Sequence, residues 1–555
     1  MKSHRIDLAV LFIFVLAAVL RFYKLGEVPS SVNADEAAIG YNAYSIIKTG
    51  KDEYGEYFPL SFRSFDDYKA PLYIYLTSFS VAVFGLNDFS VRFISALSGT
   101  LTVVLTYYLV RSLLLVGVST GLRDSSRMHS DVYIQAVSTV SAFLLAISPW
   151  HLQFSRSAYE ANLSVFFIVL GILLFYRGFD KPILLDLSGI PLVLSMWTYH
   201  TPRIFVPLLI SCVVLLHWKE MFERKMQMLL SMILSLIVFV PLAAVLLSPA
   251  GLVRVKGISS LNNPEIVQQS IHWIEYDHGG FIATLIHNRR IEYAREIIKG
   301  YMVHFDPAFL FLERAQSKYR APGMGLMYLW EFPFLLVGSY EIVRRRGKWS
   351  ILLILWVFLS PVAASVTLWL PSAVRTIVML PAVQIVTAFG IVSMLRLLRR
   401  KWVAMFYLGS ILMTCTALVN LFYYLHQYYV HMPIDFAQDW QYGRKLVVSE
   451  VVKREDYYDK VVVSTSLDQP QIFFLYYLRY SPTAYLSEGG TTSGKFDTES
   501  NHFGKYIFKT IAKFEPQKNQ KILYVTPPNE VPVSAKMLSQ IKYPDGSDAF
   551  ILFEM

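Results

Sequence analysis

Charged side chains are few in this chain, and those able to do chemistry fall close together. Asn33-Ala34-Asp35-Glu36 sets two carboxylates side by side, and Phe65-Asp66-Asp67-Tyr68-Lys69-Ala70-Pro71 sets two more beside a lysine. Further along come Arg156 with Glu160, His200 with Arg203, and Arg375. A positioned carboxylate can take the proton of an attacking hydroxyl, and paired carboxylates can hold a divalent cation. Guanidinium and ammonium groups bind phosphate oxygens through charge-assisted hydrogen bonds. Each residue also has a plainer reading. Asp35 opens a helical stretch, Asp35 to Ile47, where a carboxylate favours the N-terminus. Asp66 and Asp67 suit a solvated turn, Arg156 and Glu160 suit an ion pair across one helical turn, and arginines near helix ends can snorkel to the headgroups.

The elements that carry these residues need a bilayer as solvent. With 54% hydrophobic, 15% aromatic and 17% charged residues over 555 positions, the apolar surface exceeds what a water-soluble core can hide. The net charge of +10 resides in Lys and Arg clusters between apolar runs, which makes it a topology signal and excludes a nucleic-acid footprint. Cys212 and Cys415 both sit inside apolar runs, so neither a disulfide framework nor a thiolate metal site is expected. Runs near the ~20-residue spanning length begin around Leu8, Ser90, Val132, Leu163, Pro182, Pro202, Met226, Met327, Ser350, Val374 and Val403. The sequence thus predicts a polytopic α-helical membrane protein of about eleven spans. The first run follows Lys2 and Arg5 without a convincing cleavage site and reads as an uncleaved helix.

Charge decides the path. Pro71 to Gly85, about fifteen residues long, is too short for a comfortable span. If it lies flat, the clusters Arg111/Arg123/Arg127, Arg177/Lys181, Lys219/Arg224/Lys225, Arg344 to Lys348 and Arg396 to Lys401 all share the side of the N-terminus. The expectation is a plasma-membrane protein with a cytoplasmic N-terminus and an extracytoplasmic segment after Tyr424. Arg92, Arg203, Glu331 and Arg375 then lie near outer helix ends, ringing an outward-facing cavity; burying such arginines calls for carboxylates or an anionic ligand such as a phosphate. The expected organisation is a membrane module over residues 1–425, with outer loops 24–89 and 249–326, and an α/β domain over 426–555. That small domain is expected to hold strands at Lys460 to Ser464, Ile522 to Val525 and Ala549 to Phe553, with a helix at Gln471 to Leu478. Glu292 to Met302 reads as an interfacial helix.

The succession of Asp35-Glu36, the Asp66-Asp67-Tyr68-Lys69-Ala70-Pro71 element before a flat helix, and Arg92-x-x-Ser95-Ala96-x-x-Gly99 resembles the GT-C glycosyltransferases that use polyprenyl-phosphate sugars. The resemblance is to the family-39-like group of protein O-mannosyltransferases and lipid A aminoarabinose transferases. It continues through Ser155-Arg156 and Glu160, Tyr199 to Arg203, and Arg375 to Pro381, covering about Leu8 to Leu425. It implies a GT-C fold and transfer of a sugar from a polyprenyl-phosphate donor to a protein, lipid or glycan acceptor among membrane lipids. It also implies that Asp35 is the base. Lys69, Arg203, Arg375 and His200 are then phosphate-binding candidates, with Glu36, Asp66, Asp67, Arg156 and Glu160 as further substrate-binding candidates. Asp66 and Asp67 could orient Lys69, hold a divalent metal or position the acceptor. The double proline usual after the lysine is Ala70-Pro71 here, and the aspartate common after the Ser-Arg pair is Glu160.

Two other signals carry less. His272, Glu275, Asp277 and His278 match no zinc spacing and read as a wet interfacial helix. Asp439-Trp440-Gln441-Tyr442-Gly443 partly matches the Trp-Trp-Asp-Tyr-Gly element of oligosaccharyltransferases but has Gln441 where an acid belongs, and reads as a packing motif of the tail domain. The competing function is a polyprenyl-lipid flippase or transporter, which would want ionisable residues through the membrane depth; the spans from Val132, Leu163, Met226, Ser350 and Val403 are nearly free of them.

Overall fold

The computed structural model describes residues 8–65, 67–119, 131–248, 251, 263–492, 501–516 and 519–555. Helices that position the site are α1 (Leu8–Phe22), α2 (Ala34–Thr49), α3 (Pro71–Phe84), α4 (Asp88–Ser119), α5 (Asp131–Ile147), α6 (Pro149–Ser155), α7 (Glu160–Gly178), α8 (Glu331–Arg345) and α9 (Ala382–Lys401). Among the described residues, 7 helices are long and apolar enough to cross a membrane, or 8 when α5 and α6, bent by 56°, count as one. Where the other three expected runs lie, the chain forms the shorter apolar segments Leu8–Phe22 and Pro182–Thr198 and the 15-residue α8, which fall below that length. The run expected from Val374 begins as short turns, and its long helix starts only at Ala382, after Pro381. At 14 residues, α3 extends about 21 Å, short of a ~30 Å hydrocarbon core.

The chain divides into two compact units. The first comprises residues 1–21, 98–155 and 159–424; the second comprises 22–97, 156–158 and 425–555. Leu425, next to the expected domain boundary, is one edge of the second unit, which also takes in the whole first outer loop.

In the first unit, the bend between α5 and α6 follows from proline chemistry. Pro149 has no N–H for the Leu145 carbonyl, and the Trp150 N–H donates to the Leu326 carbonyl at 2.9 Å. The buried Arg21 fills the gap, donating to the carbonyls of Leu145 and Ala146 at 3.2 Å each and meeting His151 Nδ1 at 2.7 Å. Helix α4 crosses closely at Gly99, where a Cβ would lie 2.2 Å from Ser155 Oγ.

In the second unit, a hairpin of β1 (Phe62–Ser64) and β2 (Asp67–Lys69) leads into α3. A six-stranded sheet has the order β4-β5-β3-β6-β8-β7, with β3 (Lys460–Val463), β4 (His502–Phe503), β5 (Tyr506–Phe508), β6 (Ile522–Thr526), β7 (Lys536–Lys542) and β8 (Asp548–Glu554). Strand β3 runs parallel to β5 and β6, and the other pairs are antiparallel. Val462, Ile522, Tyr524, Ile551 and Phe553 form a core on one face of the sheet. The three expected strands and the helix, observed at Pro470–Tyr477, are present; β4, β5 and β7 are additions.

The tail is tied to the first loop through Glu53. Its buried carboxylate accepts from Asn42 Nδ2 at 2.8 Å and from the Thr491 hydroxyl at 2.8 Å, and its carbonyl accepts the Thr491 N–H at 2.9 Å. Burial pushes the Glu53 carboxyl up to about 7, against the lowering effect of those two hydrogen bonds. Between its unfolded value and about 7, the folded protein retains a proton that the unfolded chain has lost, so stability falls as pH rises through that window. Glu53→Gln keeps both side-chain hydrogen bonds and cannot ionise. Thermal unfolding in micelles should show it close to wild type at pH 5 and more stable, by up to ~3 kcal/mol, at pH 8. Equal pH dependence in the two proteins would contradict this.

Candidate functional site

Helix α2 begins with a complete capping box. Asn33 Oδ1 accepts the Glu36 N–H at 2.9 Å, and Glu36 Oε2 accepts the Asn33 N–H at 3.2 Å. The cap is therefore Asn33, and Asp35 is not needed for that purpose. Asp35 sits in the first turn with its side chain 66% exposed, and Lys69, only 12% exposed, donates to its Oδ1 at 2.6 Å. The β1–β2 hairpin delivers that lysine, through a turn in which Phe65 takes a φ of 58°. Asp67 Oδ1 accepts the adjacent Tyr68 N–H at 2.7 Å, and Asp66 lies outside the described residues.

Glu36, expected among the substrate-binding residues, is 1% exposed and faces inward. Arg92 grips it with two prongs, Nε to Oε1 and Nη2 to Oε2, each at 3.0 Å. The Ala158 N–H donates to Oε1 at 2.8 Å. The rest of the guanidinium donates to the carbonyls of Leu25, Pro29 and Ser31 at 3.2, 3.0 and 2.5 Å. Buried charges are tolerable when paired and fully hydrogen-bonded, as these are. The sequence places Arg92 near an outer helix end, and the structure gives it the partner Glu36.

Gln441, inside the expected packing motif of the tail, reaches the first turn of α2. Its Oε1 accepts the Ala34 N–H at 2.7 Å, and its Nε2 donates to Asp468 Oδ2 at 2.8 Å. The tail thus holds the first peptide of α2, immediately before Asp35. Gln441, Asp468 and Gln469 all adopt left-handed backbone, with φ of 52°, 49° and 51°, a conformation that costs about 1–3 kcal/mol for residues with side chains.

Arg156 is buried, its guanidinium 5.0 and 5.1 Å from the rings of Tyr428 and Tyr429 and donating to the Val28 carbonyl at 3.2 Å. Those tyrosines lie in a π-helical turn, Gln427–His431. Helix α6 ends at Ser155 and α7 starts at Glu160, so the four-residue spacing does not put Arg156 and Glu160 on one helix face, as an ordinary helical ion pair requires.

In the first unit, Arg203 Nη1 meets His200 Nδ1 at 2.6 Å and its Nε donates to the Met196 carbonyl at 3.2 Å. Arg375 donates to Thr367 Oγ1 at 2.7 Å and to the Leu368 carbonyl at 2.6 Å, both neutral oxygens. His304 braces this turn: its Nδ1 donates to the Gly300 carbonyl at 2.7 Å while Nε2 accepts the Ser372 N–H at 3.0 Å. Burial above all holds His304 down at about 4, the tautomer those bonds require being neutral. A lone histidine with no motif spacing gave no signal for this role. Among the described residues, no group of three or more His, Cys, Asp or Glu side chains is gathered as a metal site.

The arrangement belongs to a multi-pass membrane protein of GT-C fold. ArnT from Cupriavidus metallidurans in its apo state matches with a TM-score of 0.54 and 12% identity, over 98% of this chain and 97% of that one. The same protein bound to undecaprenyl phosphate gives the same values. The archaeal oligosaccharyltransferase AglB from Archaeoglobus fulgidus gives a weaker likeness, with a TM-score of 0.49, 14% identity, 84% of this chain and 63% of that one. In sequence, the dolichyl-phosphate-mannose-protein mannosyltransferase family matches residues 68–122, a stretch that includes Lys69 and Arg92. No curated protein sequence matches the chain.

Removing one member of the Arg92–Glu36 pair strands the other in the interior. Arg92→Leu should destabilise the protein by ~3–5 kcal/mol in thermal unfolding, and Arg92→Leu/Glu36→Leu should recover part of that loss. Additive losses in the double variant would contradict the pairing.

Proposed function

We propose that this chain is an integral membrane glycosyltransferase that moves a sugar from a polyprenyl-phosphate carrier to a hydroxyl acceptor on the extracytoplasmic face. The observation that carries the reading is an exposed carboxylate, Asp35, released from capping duty by Asn33 and aimed by a hydrogen bond from Lys69. The fold shared with a protein that has been captured with undecaprenyl phosphate supports the donor class.

In the reaction, the acceptor oxygen attacks the anomeric carbon as Asp35 takes its proton. The bond from that carbon to the phosphate oxygen breaks, its electron pair staying on the phosphate, and the carrier leaves as polyprenyl phosphate. Cationic groups stabilise the charge developing on that oxygen. The family resemblance makes Lys69, Arg203 and Arg375 the candidates for this role, and His200 meets Arg203 at 2.6 Å. Glu36 and Arg156 act by position: the first holds the entry to α2, and the second pins the segment after α6 to the tyrosine pair.

Asp35→Asn tests the base. It should lower turnover by about 100-fold or more while leaving thermal stability and donor binding near wild type, because Asn33 still caps the helix. The Glu36→Gln control should lose stability first. Should Asp35→Asn transfer sugar normally while Asp67→Asn abolishes transfer, the base is the other acid.

A further inference from the structure

Helices α8 and α9 touch backbone to backbone. A Cβ at Gly338 would lie 1.9 Å from the Val386 carbonyl oxygen, and one at Gly390 would lie 1.9 Å from that of Phe334. This contact brings two basic C-terminal ends together, Arg344 and Arg345 from α8 with Arg396 and Arg400 from α9. Between them lies a cavity of about 380 Å³ lined by these four arginines, with Glu341 the one carboxylate among the described lining residues.

Arg345 donates to Glu341 Oε2 at 3.3 Å and to the Tyr133 hydroxyl at 3.0 Å, and Arg396 stacks 5.3 Å from the Tyr133 ring. Glu341 offsets one charge, and the two helix C-termini offset about half a charge each. Four guanidinium groups therefore line one small space beside a single described carboxylate, a concentration of positive charge that favours entry of an anion.

The apolar part of the lining identifies the anion's other half. Val337, Met394 and Leu397 stand beside the arginines, at the end of an apolar helix where a lipid headgroup gives way to its chains. We propose that this cavity binds the phosphodiester headgroup of an anionic membrane phospholipid, with the arginines on its oxygens and the apolar residues against its first methylenes. The recognised group, a phosphodiester anion, is shared with soluble phosphate compounds; the apolar lining favours the lipid. The site lies wholly within the first unit and is independent of the transfer reaction.

The test is native mass spectrometry of the full chain in micelles carrying equal amounts of phosphatidylglycerol and phosphatidylcholine. Wild type should retain phosphatidylglycerol in preference. R396Q/R400Q should lose about tenfold of that preference. R399Q/K401Q removes the same charge from the same helix end at residues that do not line the cavity, and it should behave as wild type. Both variants keep Arg344, Arg345, Arg346 and Lys348, so the basic loop that biases insertion survives. Equal retention of the two lipids by wild type would overturn the proposal, as would equal losses in the two variants, which would mean general surface charge. Displacement of phosphatidylglycerol by millimolar inorganic phosphate would assign the cavity to a soluble anion and overturn it too.

Discussion

The bidentate contact between Arg92 and Glu36 is the constraint on which the candidate site depends. Two opposite charges are removed from water, and every polar atom on them that is described faces a partner: two prongs, three carbonyls and two peptide N–H groups. Such a pair contributes less to net stability than to uniqueness of position, because any displacement leaves a buried charge without its partner. Four chain segments meet there: the loop after α1, the start of α2, the second turn of α4 and residue 158. With Glu36 fixed inward, helical geometry turns its neighbour Asp35 by about 100° away, toward solvent and Lys69.

One residue step along the helix thus gives two neighbouring carboxylates different surroundings. Glu36 is buried with both oxygens hydrogen-bonded, and Asp35 is largely exposed beside Lys69. The tail domain joins this arrangement at two places, Gln441 on the Ala34 peptide and Thr491 on Glu53. A segment remote in sequence therefore sets the direction of the first turn of α2. Gly40 shows how tightly it does so, since a Cβ there would come within 2.6 Å of the Tyr476 ring. In the first unit Arg375 donates to two neutral oxygens, and Arg203 meets a histidine nitrogen and a backbone carbonyl.

Much of this was legible before any coordinates, for physical reasons. Apolar runs must be helical in a bilayer, so the membrane helices follow from hydropathy alone. The β3, β6 and β8 strands announce themselves as buried β-branched and aromatic runs. Strand β7, Lys-Met-Leu-Ser-Gln-Ile-Lys, is a polar edge strand with no such run, and β4 and β5 are too short to show a period. The order of acids and bases pointed to Asp35 and Lys69, which do meet. Partnerships between distant segments left no local trace: Glu36 with Arg92, Gln441 with Ala34, and His304 with Ser372. The helical reading of Arg156 and Glu160 failed because the chain breaks its helix between them.

The central claim is that a carbon–oxygen bond between sugar and carrier phosphate is broken outside the cytoplasm. It is tested most directly by reconstituting the purified chain in vesicles made from native membrane lipids, with the cell's envelope proteins and glycans added as acceptors, and following polyprenyl lipids by mass spectrometry. The account predicts loss of a polyprenyl-phosphate-linked sugar with matching appearance of polyprenyl phosphate. An unchanged ratio of the two, or movement of the intact sugar lipid between leaflets without cleavage, would contradict it.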